Sequence, residues 1–285
     1  MTGWKPVRGT ALSEHNEAPF PDTSVRPEAA EDRMTQTTIQ GGHGDLPVYL
    51  ATPAGPPPWP GVVVIHDAMG MSQDARNQAD WLASEGYLAA VPDLFSWGRT
   101  LTCVRAAIGD MRRRRGRIFE DVEVTRNWLV GQPGCSGRVG VIGFCMGGGF
   151  ALLLAPDHGY DVASVNYGMV PKDAPDLLSR ACPIVGSFGG RDRTLRSAAR
   201  RLESALTAAG VAHDVKEYPA GGHGFLNDRQ AAGDPIPLMV RATTPLLGFG
   251  PEPASAADAR RRIIEFFGTH LAQPADGPAV AGPPG

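Results

Sequence analysis

Several features that would steer a reading elsewhere are scarce in this 285-residue chain. It carries four cysteines, Cys103, Cys135, Cys145 and Cys182. They are widely spaced, without a Cys-x-x-Cys pair, which argues against a zinc-ribbon type of site and against a disulfide framework. Charge of one sign is missing too. The formal net charge of −3 leaves no basic footprint for nucleic acid or an anionic membrane surface. The one basic run, Arg112 to Arg115 with Arg117 beyond it, reads as a solvated face. No apolar run is long enough to span a bilayer, since Val139 to Ala155 is short and interrupted by glycines. The N-terminus shows no apolar core of a secretory leader, so a cytoplasmic location is expected. No His/Asp/Glu spacing suggests a metal, and the glycines around 143–149 lack the Gly-Lys-Ser/Thr ending of a phosphate loop. No cofactor is expected.

What is present is an alternation of short apolar strands and amphipathic helices. Strands are expected near Thr37–Ile39, at Val48–Leu50, Gly61–His66, Tyr87–Val91, Arg138–Ile142, Val162–Asn166, Pro183–Phe188 and His213–Tyr218. Helices are expected at Asp74–Glu85, Ile118–Val130, Cys145–Ala155, Leu195–Ala209 and Ala256–Leu271. The run Val62-Val63-Val64-Ile65 is β-branched and has no polar alternation, as in a strand buried on both faces. This pattern predicts an α/β fold with a mostly parallel central sheet covered by helices on both faces. Residues 1–35 lack a period and read as a flexible N-terminal arm. Residues 36–272 read as a single domain, and 273–285, rich in Pro, Gly and Ala, as a disordered tail. Ala231 to Pro253 reads as an insertion.

In such sheets ligands gather at the carboxyl ends of the strands, and three segments there carry chemistry. The first is Gly143-Phe144-Cys145-Met146-Gly147, between a strand and a helix. A nucleophile on this sharp turn stands above the sheet at a helix N-terminus, and flanking glycines keep Cβ atoms out of the junction. Cys145 is therefore the candidate nucleophile, and the Met146 N–H is a candidate oxyanion donor. The second segment, Gly189-Gly190-Arg191-Asp192, follows the next-but-one strand and offers Asp192. The third, Gly221-Gly222-His223-Gly224-Phe225, follows the strand after that and offers His223. Nucleophile, acid, then histidine is the chain order of α/β-hydrolases. A neutral imidazole takes the thiol proton and the carboxylate fixes its tautomer. His66-Asp67-Ala68 follows the first long strand, where Ala68 would supply the second oxyanion N–H. Asp67 is either catalytic or structural. His66 reads as a packed histidine, and His158, His213 and His270 as ordinary ones.

These stretches, with Val91-Pro92-Asp93-Leu94-Phe95, resemble the dienelactone hydrolase (carboxymethylenebutenolidase-like) family over roughly Val48 to Leu271. The resemblance implies an α/β-hydrolase whose cysteine attacks a lactone carbonyl and forms a thioester acyl-enzyme that water then cleaves. It also implies a thiol-activating acid after the first long strand, a glutamate in the family and Asp67 here. Tyr167, and with it Phe225, would line the pocket, with a packed aromatic as the other reading of Tyr167. Family members acting on dienelactone hold its carboxylate with arginines, one of them just after the catalytic histidine. Here no arginine follows His223 until Arg229, leaving Arg99 or one of Arg112 to Arg117 as substitutes. The expected partner is a small ester or lactone, with the protein a monomer or small homo-oligomer; a non-hydrolytic, ligand-binding or thiol-sensing protein is the competing reading.

Overall fold

The structure, a computed structural model, describes residues 34–227, 229, 231–234 and 248–272. Residues 1–33, the tail from 273 on and residues 235–247 of the expected insertion lie outside the described residues. Met34 and Thr35, assigned from sequence to the arm, instead begin the first strand.

Eight strands form one sheet: β1 (Met34–Gly41), β2 (Gly44–Ala51), β3 (Trp59–Ile65), β4 (Leu88–Pro92), β5 (Cys135–Phe144), β6 (Val162–Asn166), β7 (Ile184–Gly189) and β8 (His213–Tyr218). Their order is β1-β2-β4-β3-β5-β6-β7-β8. The β1–β2 and β2–β4 pairings are antiparallel and the other five are parallel. Register brings the carboxyl ends of the central strands level: Ile65 lies beside Gly143, Phe144 beside Asn166, and Asn166 beside Ser187.

The helices are α1 (Gln73–Ser84), α2 (Thr100–Arg113), α3 (Arg117–Val130), α4 (Met146–Leu154), the single turn α5 (Ala174–Leu177), α6 (Ala198–Ala209) and α7 (Pro253–Leu271). Alternate residues of each central strand serve opposite faces. Val62 and Val64 pack with Leu82 of α1 and Ile263 and Phe267 of α7. Val63 and Ile65 pack with α2, α3, α4 and α6. All four of these strand residues are fully buried, which explains a run without polar alternation. Each such side chain contributes roughly 1.5–3 kcal/mol by leaving water. Helix α4, Met-Gly-Gly-Gly-Phe-Ala-Leu-Leu-Leu, is apolar all round and buried from Gly147 to Leu154, as a helix enclosed by the core must be.

The structure adds a helix that the sequence signals missed, α2, whose last turn contains part of the arginine run. It also shortens another: α6 begins at Ala198 because Ser197 adopts the left-handed conformation (φ 62°). Among the described residues no helix is long and apolar enough to cross a membrane.

Candidate active site

The elbow after β5 is as tight as its glycines suggest. Cys145 has φ 55° and ψ −114°, outside the helical region, and stands as N-cap of α4. A non-glycine residue there stores backbone strain, held in place by its surroundings. The Cys145 N–H donates to the Asn166 carbonyl (3.0 Å) and its own carbonyl accepts from Gly149 N–H (3.2 Å). A Cβ on Gly143 would meet the Gly147 carbonyl oxygen at 2.0 Å, and one on Gly147 would meet the Ile65 carbonyl oxygen at 2.2 Å. Only glycine lets strand, turn and helix approach this closely.

Two neighbouring strand ends supply partners. After β7, the Gly190 and Arg191 amides donate to the Tyr218 and Gly221 carbonyls (2.8 and 2.9 Å), tying this turn to the loop after β8. Asp192, only 3% exposed, emerges from the turn. Its Oδ1 accepts from the N–H and the hydroxyl of Thr194 (2.8 and 2.6 Å). Its Oδ2 lies 2.6 Å from Nδ1 of His223. The backbone of His223 is pinned in turn by the Gly248 carbonyl (2.7 Å) and the Gly250 N–H (3.1 Å). Nε2 of His223 lies 3.0 Å from Sγ of Cys145. The three side chains read from sequence thus form one continuous hydrogen-bonded line.

Charge follows this geometry. Burial by itself would lower the proton affinity of His223, but the hydrogen bonds to Asp192 and Cys145 outweigh it and push its pKa up to about 10. Burial likewise works against ionised Asp192, yet the bonds from His223 and Thr194 hold its carboxyl below the usual range.

The remaining candidates fall into distinct places. His66 is 2% exposed. Its Nδ1 is 2.8 Å from the Asp67 carbonyl oxygen and its Nε2 accepts from Leu94 N–H (3.2 Å), so the neutral ring is fully engaged. Burial holds its pKa down. Asp67 makes no hydrogen bond with Cys145 among the described residues. Its Oδ1 accepts from Met69 N–H (2.8 Å), and its Oδ2 receives the guanidinium of Arg229. The amides of Ala68 and Met146 donate no hydrogen bond among the described residues, so both remain available to an oxyanion. Tyr167 is 1% exposed with φ 40°; its ring packs 5.4 Å from that of His223 and its hydroxyl donates to Asn227. Phe225 exposes no surface at all and packs on Tyr167 and Tyr218. Both aromatics are buried, Tyr167 against the His223 ring and Phe225 against Tyr167. Of the arginines considered as substitutes, Arg114 pairs with Asp173 and Arg117 with Asp121. His158 pairs with Glu123, and His213 and His270 also lie outside the line.

Several residues of the site escaped the sequence reading. Thr194 holds Asp192; its position two residues on is a turn signal that could have been read. Asn227 bridges the Tyr167 hydroxyl and the Asp74 carboxylate. Asp234 accepts from the Gln73 and Asp74 amides (2.9 Å each) at the start of α1. A small cavity of about 10 Å³ is lined by His66, Asp67, Asp74, Phe144, Asn227 and Arg229, among others, without Cys145 or His223. Among the described residues no group of His, Cys, Asp or Glu is arranged to hold a metal ion.

Comparison with known proteins gives the family and the fold. The model of the dienelactone hydrolase family matches residues 46–271. A candidate carboxymethylenebutenolidase of Synechocystis sp. is 27% identical over 84% of this chain and 98% of its own length. The carboxymethylenebutenolidase of Pseudomonas putida is 26% identical over 59% of this chain and 75% of its own. In fold, the crystal structure of a candidate dienelactone hydrolase of Klebsiella pneumoniae superposes with a TM-score of 0.66 at 22% identity, covering 82% of this chain and 97% of that one.

Proposed function

Because the chain belongs to the dienelactone hydrolase family, we propose that it hydrolyses a lactone or ester through Cys145, His223 and Asp192 with a thioester intermediate. The observation that carries this reading is the unbroken line Sγ–Nε2, Nδ1–Oδ2 at 3.0 and 2.6 Å. Nε2 of His223, whose pKa is about 10, holds the proton it shares with Sγ of Cys145, and sulfur attacks the carbonyl carbon. The oxyanion formed is held by the N–H groups of Ala68 and Met146, a device in which each donor contributes ~3–4 kcal/mol to the transition state. The carbon–oxygen bond then breaks, the leaving oxygen takes the proton from Nε2, and a thioester on Cys145 remains. Water, losing its proton to His223, attacks the thioester, and the thiol is restored with release of the acid. Asp192 keeps the imidazole in the tautomer that accepts at Nε2 and balances the imidazolium.

Asp67 stays structural in this scheme, since its two oxygens are engaged by Met69 and Arg229. The test is steady-state hydrolysis of an uncharged lactone and of p-nitrophenyl acetate. Cys145→Ala is expected to retain the fold and lose at least ~1000-fold in kcat/KM. Full activity in that variant would overturn the proposal. A single stoichiometric acylation without turnover would favour the non-hydrolytic reading instead.

A further inference from the structure

This inference rests on the hydrolase reading and concerns what holds the imidazole of His223 in place. Sγ of Cys145 and Oδ2 of Asp192 engage its two ring nitrogens. Two bonds along one line leave a ring free to tilt about that line. The loop that carries it has glycine at 221, 222 and 224, and glycine gives a chain the least stiffness of its own. Its rigidity must come from neighbours.

Residues 248–252, the end of the segment read from sequence as an insertion, supply it. The His223 N–H donates to the Gly248 carbonyl (2.7 Å), the Gly250 N–H to the His223 carbonyl (3.1 Å), and the Glu252 N–H to the Phe225 carbonyl (3.3 Å). The two segments lie side by side as a parallel pair with Phe249 opposite His223. A Cβ on Gly222 would overlap the Gly248 carbonyl oxygen, and one on Gly248 would overlap the carbonyl oxygen of Arg191, next to Asp192. Glu252 then caps α7 by accepting from the Ser255 N–H (2.7 Å), and α7 is held in the core through Ala259, Ile263 and Phe267. This strap ties the histidine loop and the acid turn to a packed helix.

Its register also delivers a side chain. The Phe249 ring lies 4.9 Å from the imidazole, edge-on at 78°. Tyr167, the other ring against His223, is buried. Phe249 is half-buried, so it stands at the solvent boundary of an imidazole side chain that is 12% exposed. We propose that Phe249 is a positioning residue for the hydrolysis: its ring keeps the imidazole aligned with Cys145 and Asp192 and shields that line from water.

Among the described residues the titratable groups that face His223 are Cys145, Asp192 and the Tyr167 phenol. Phe249 adds no charge, so its removal acts on His223 through alignment and water alone. Water weakens the bonds to Asp192 and Cys145 and also relieves burial. Since the bonds outweigh burial here, the proton affinity of the ring falls back toward its ordinary value.

The experiment uses the full chain with Phe249→Ala, Phe249→Leu and Phe249→Tyr, the fold of each verified by circular dichroism and Tm. Hydrolysis of p-nitrophenyl acetate is followed across pH with the spontaneous rate subtracted. Phe249→Ala is expected to lose about ten- to a hundredfold in kcat, with KM within about twofold of wild type. The alkaline limb of its kcat/KM, near pH 10 in wild type, is expected to move down by about one unit. Phe249→Leu keeps most of the apolar bulk without the ring and is expected to fall between, carrying the comparison if the alanine variant does not fold. Phe249→Tyr is expected to restore both kcat and limb. A raised KM with kcat and limb unmoved would make Phe249 a substrate contact and overturn the inference. A lowered Tm with kcat and limb unmoved would make it a packing residue and overturn it equally; both results leave the hydrolase reading intact. Absence of Cys145-dependent turnover in wild type would overturn the hydrolase reading, and this inference with it.

Discussion

Replacing Asp192 by asparagine changes one oxygen to an NH2 group, and the surroundings decide which one. Oδ1 accepts two bonds from Thr194 while Oδ2 faces only His223. Keeping the amide oxygen toward Thr194 preserves two hydrogen bonds, so the NH2 turns toward Nδ1. A donor there selects the imidazole tautomer protonated at Nε2, which cannot accept the Cys145 proton. The same change removes the charge that supports the imidazolium. The rise of the His223 pKa from 6.5 to about 10 corresponds to ~4–5 kcal/mol favouring the protonated ring, and a charged hydrogen bond such as that from Asp192 supplies ~1.5–3 kcal/mol. Charge and tautomer together predict a fall in kcat/KM on the order of 1000-fold. The assay is ester hydrolysis across pH, with circular dichroism to verify the fold. In wild type kcat/KM is expected to fall at the alkaline end only as pH passes through about 10, where Nε2 of His223 loses the proton it gives to the leaving oxygen. In Asp192→Asn this limb moves to lower pH. A variant that keeps more than about a tenth of wild-type activity, with its alkaline limb unmoved, would refute the reasoning.

The same pair sets a window of stability. His223 has a raised pKa, so its contribution is full below about 6.5 and is lost as pH rises through about 10. Asp192 has a lowered pKa, so its contribution is present above the ordinary carboxylate range and is lost as pH falls below it. The difference in Tm between wild type and Asp192→Asn should therefore be largest at mid pH and shrink toward both ends. Thr194→Val removes one of the two donors to Oδ1 and should lower kcat about three- to tenfold with KM unchanged, checked by steady-state kinetics. Gly147→Ala places a Cβ 2.2 Å from a β3 carbonyl; strand and helix must move apart, and soluble yield and Tm should drop sharply, whereas an unchanged Tm would contradict the packing described. Asp234→Ala uncaps α1 and should cost about 1–2 kcal/mol in urea unfolding.

What the sequence revealed was local chemistry, and what it hid was long-range pairing. Cys145, Asp192 and His223 were readable because each sits in a glycine-marked turn after a strand, and parallel strands bring such turns to one edge. The buried faces of β3 and β5 were readable from runs without polar alternation. Helix α2 was not, because Gly109 interrupts its pattern and its final turn reads as a basic surface run; the element is fixed instead by Asp110, which accepts from the Ile118 amide (3.1 Å) and from Arg113 (2.7 Å). The start of α6 was misplaced by three residues because the left-handed turn at Ser197 leaves no mark in composition. Arg229 could not be assigned to Asp67, nor Asp234 to α1, since those partners lie about 160 positions apart in the chain. Tyr167 and Phe225 were readable as neighbours of the site, but their near-complete burial was not.

The central claim is that the Cys145 sulfur carries the acyl group. Rapid acid quench of the full chain with p-nitrophenyl acetate, followed by proteolysis and mass spectrometry, tests it directly. The account predicts an acetyl thioester on the Cys145 peptide that forms within the first turnover, decays with the steady-state rate and is absent from Cys145→Ala. Turnover with no adduct on Cys145, or with the acetyl group on another residue, would contradict it.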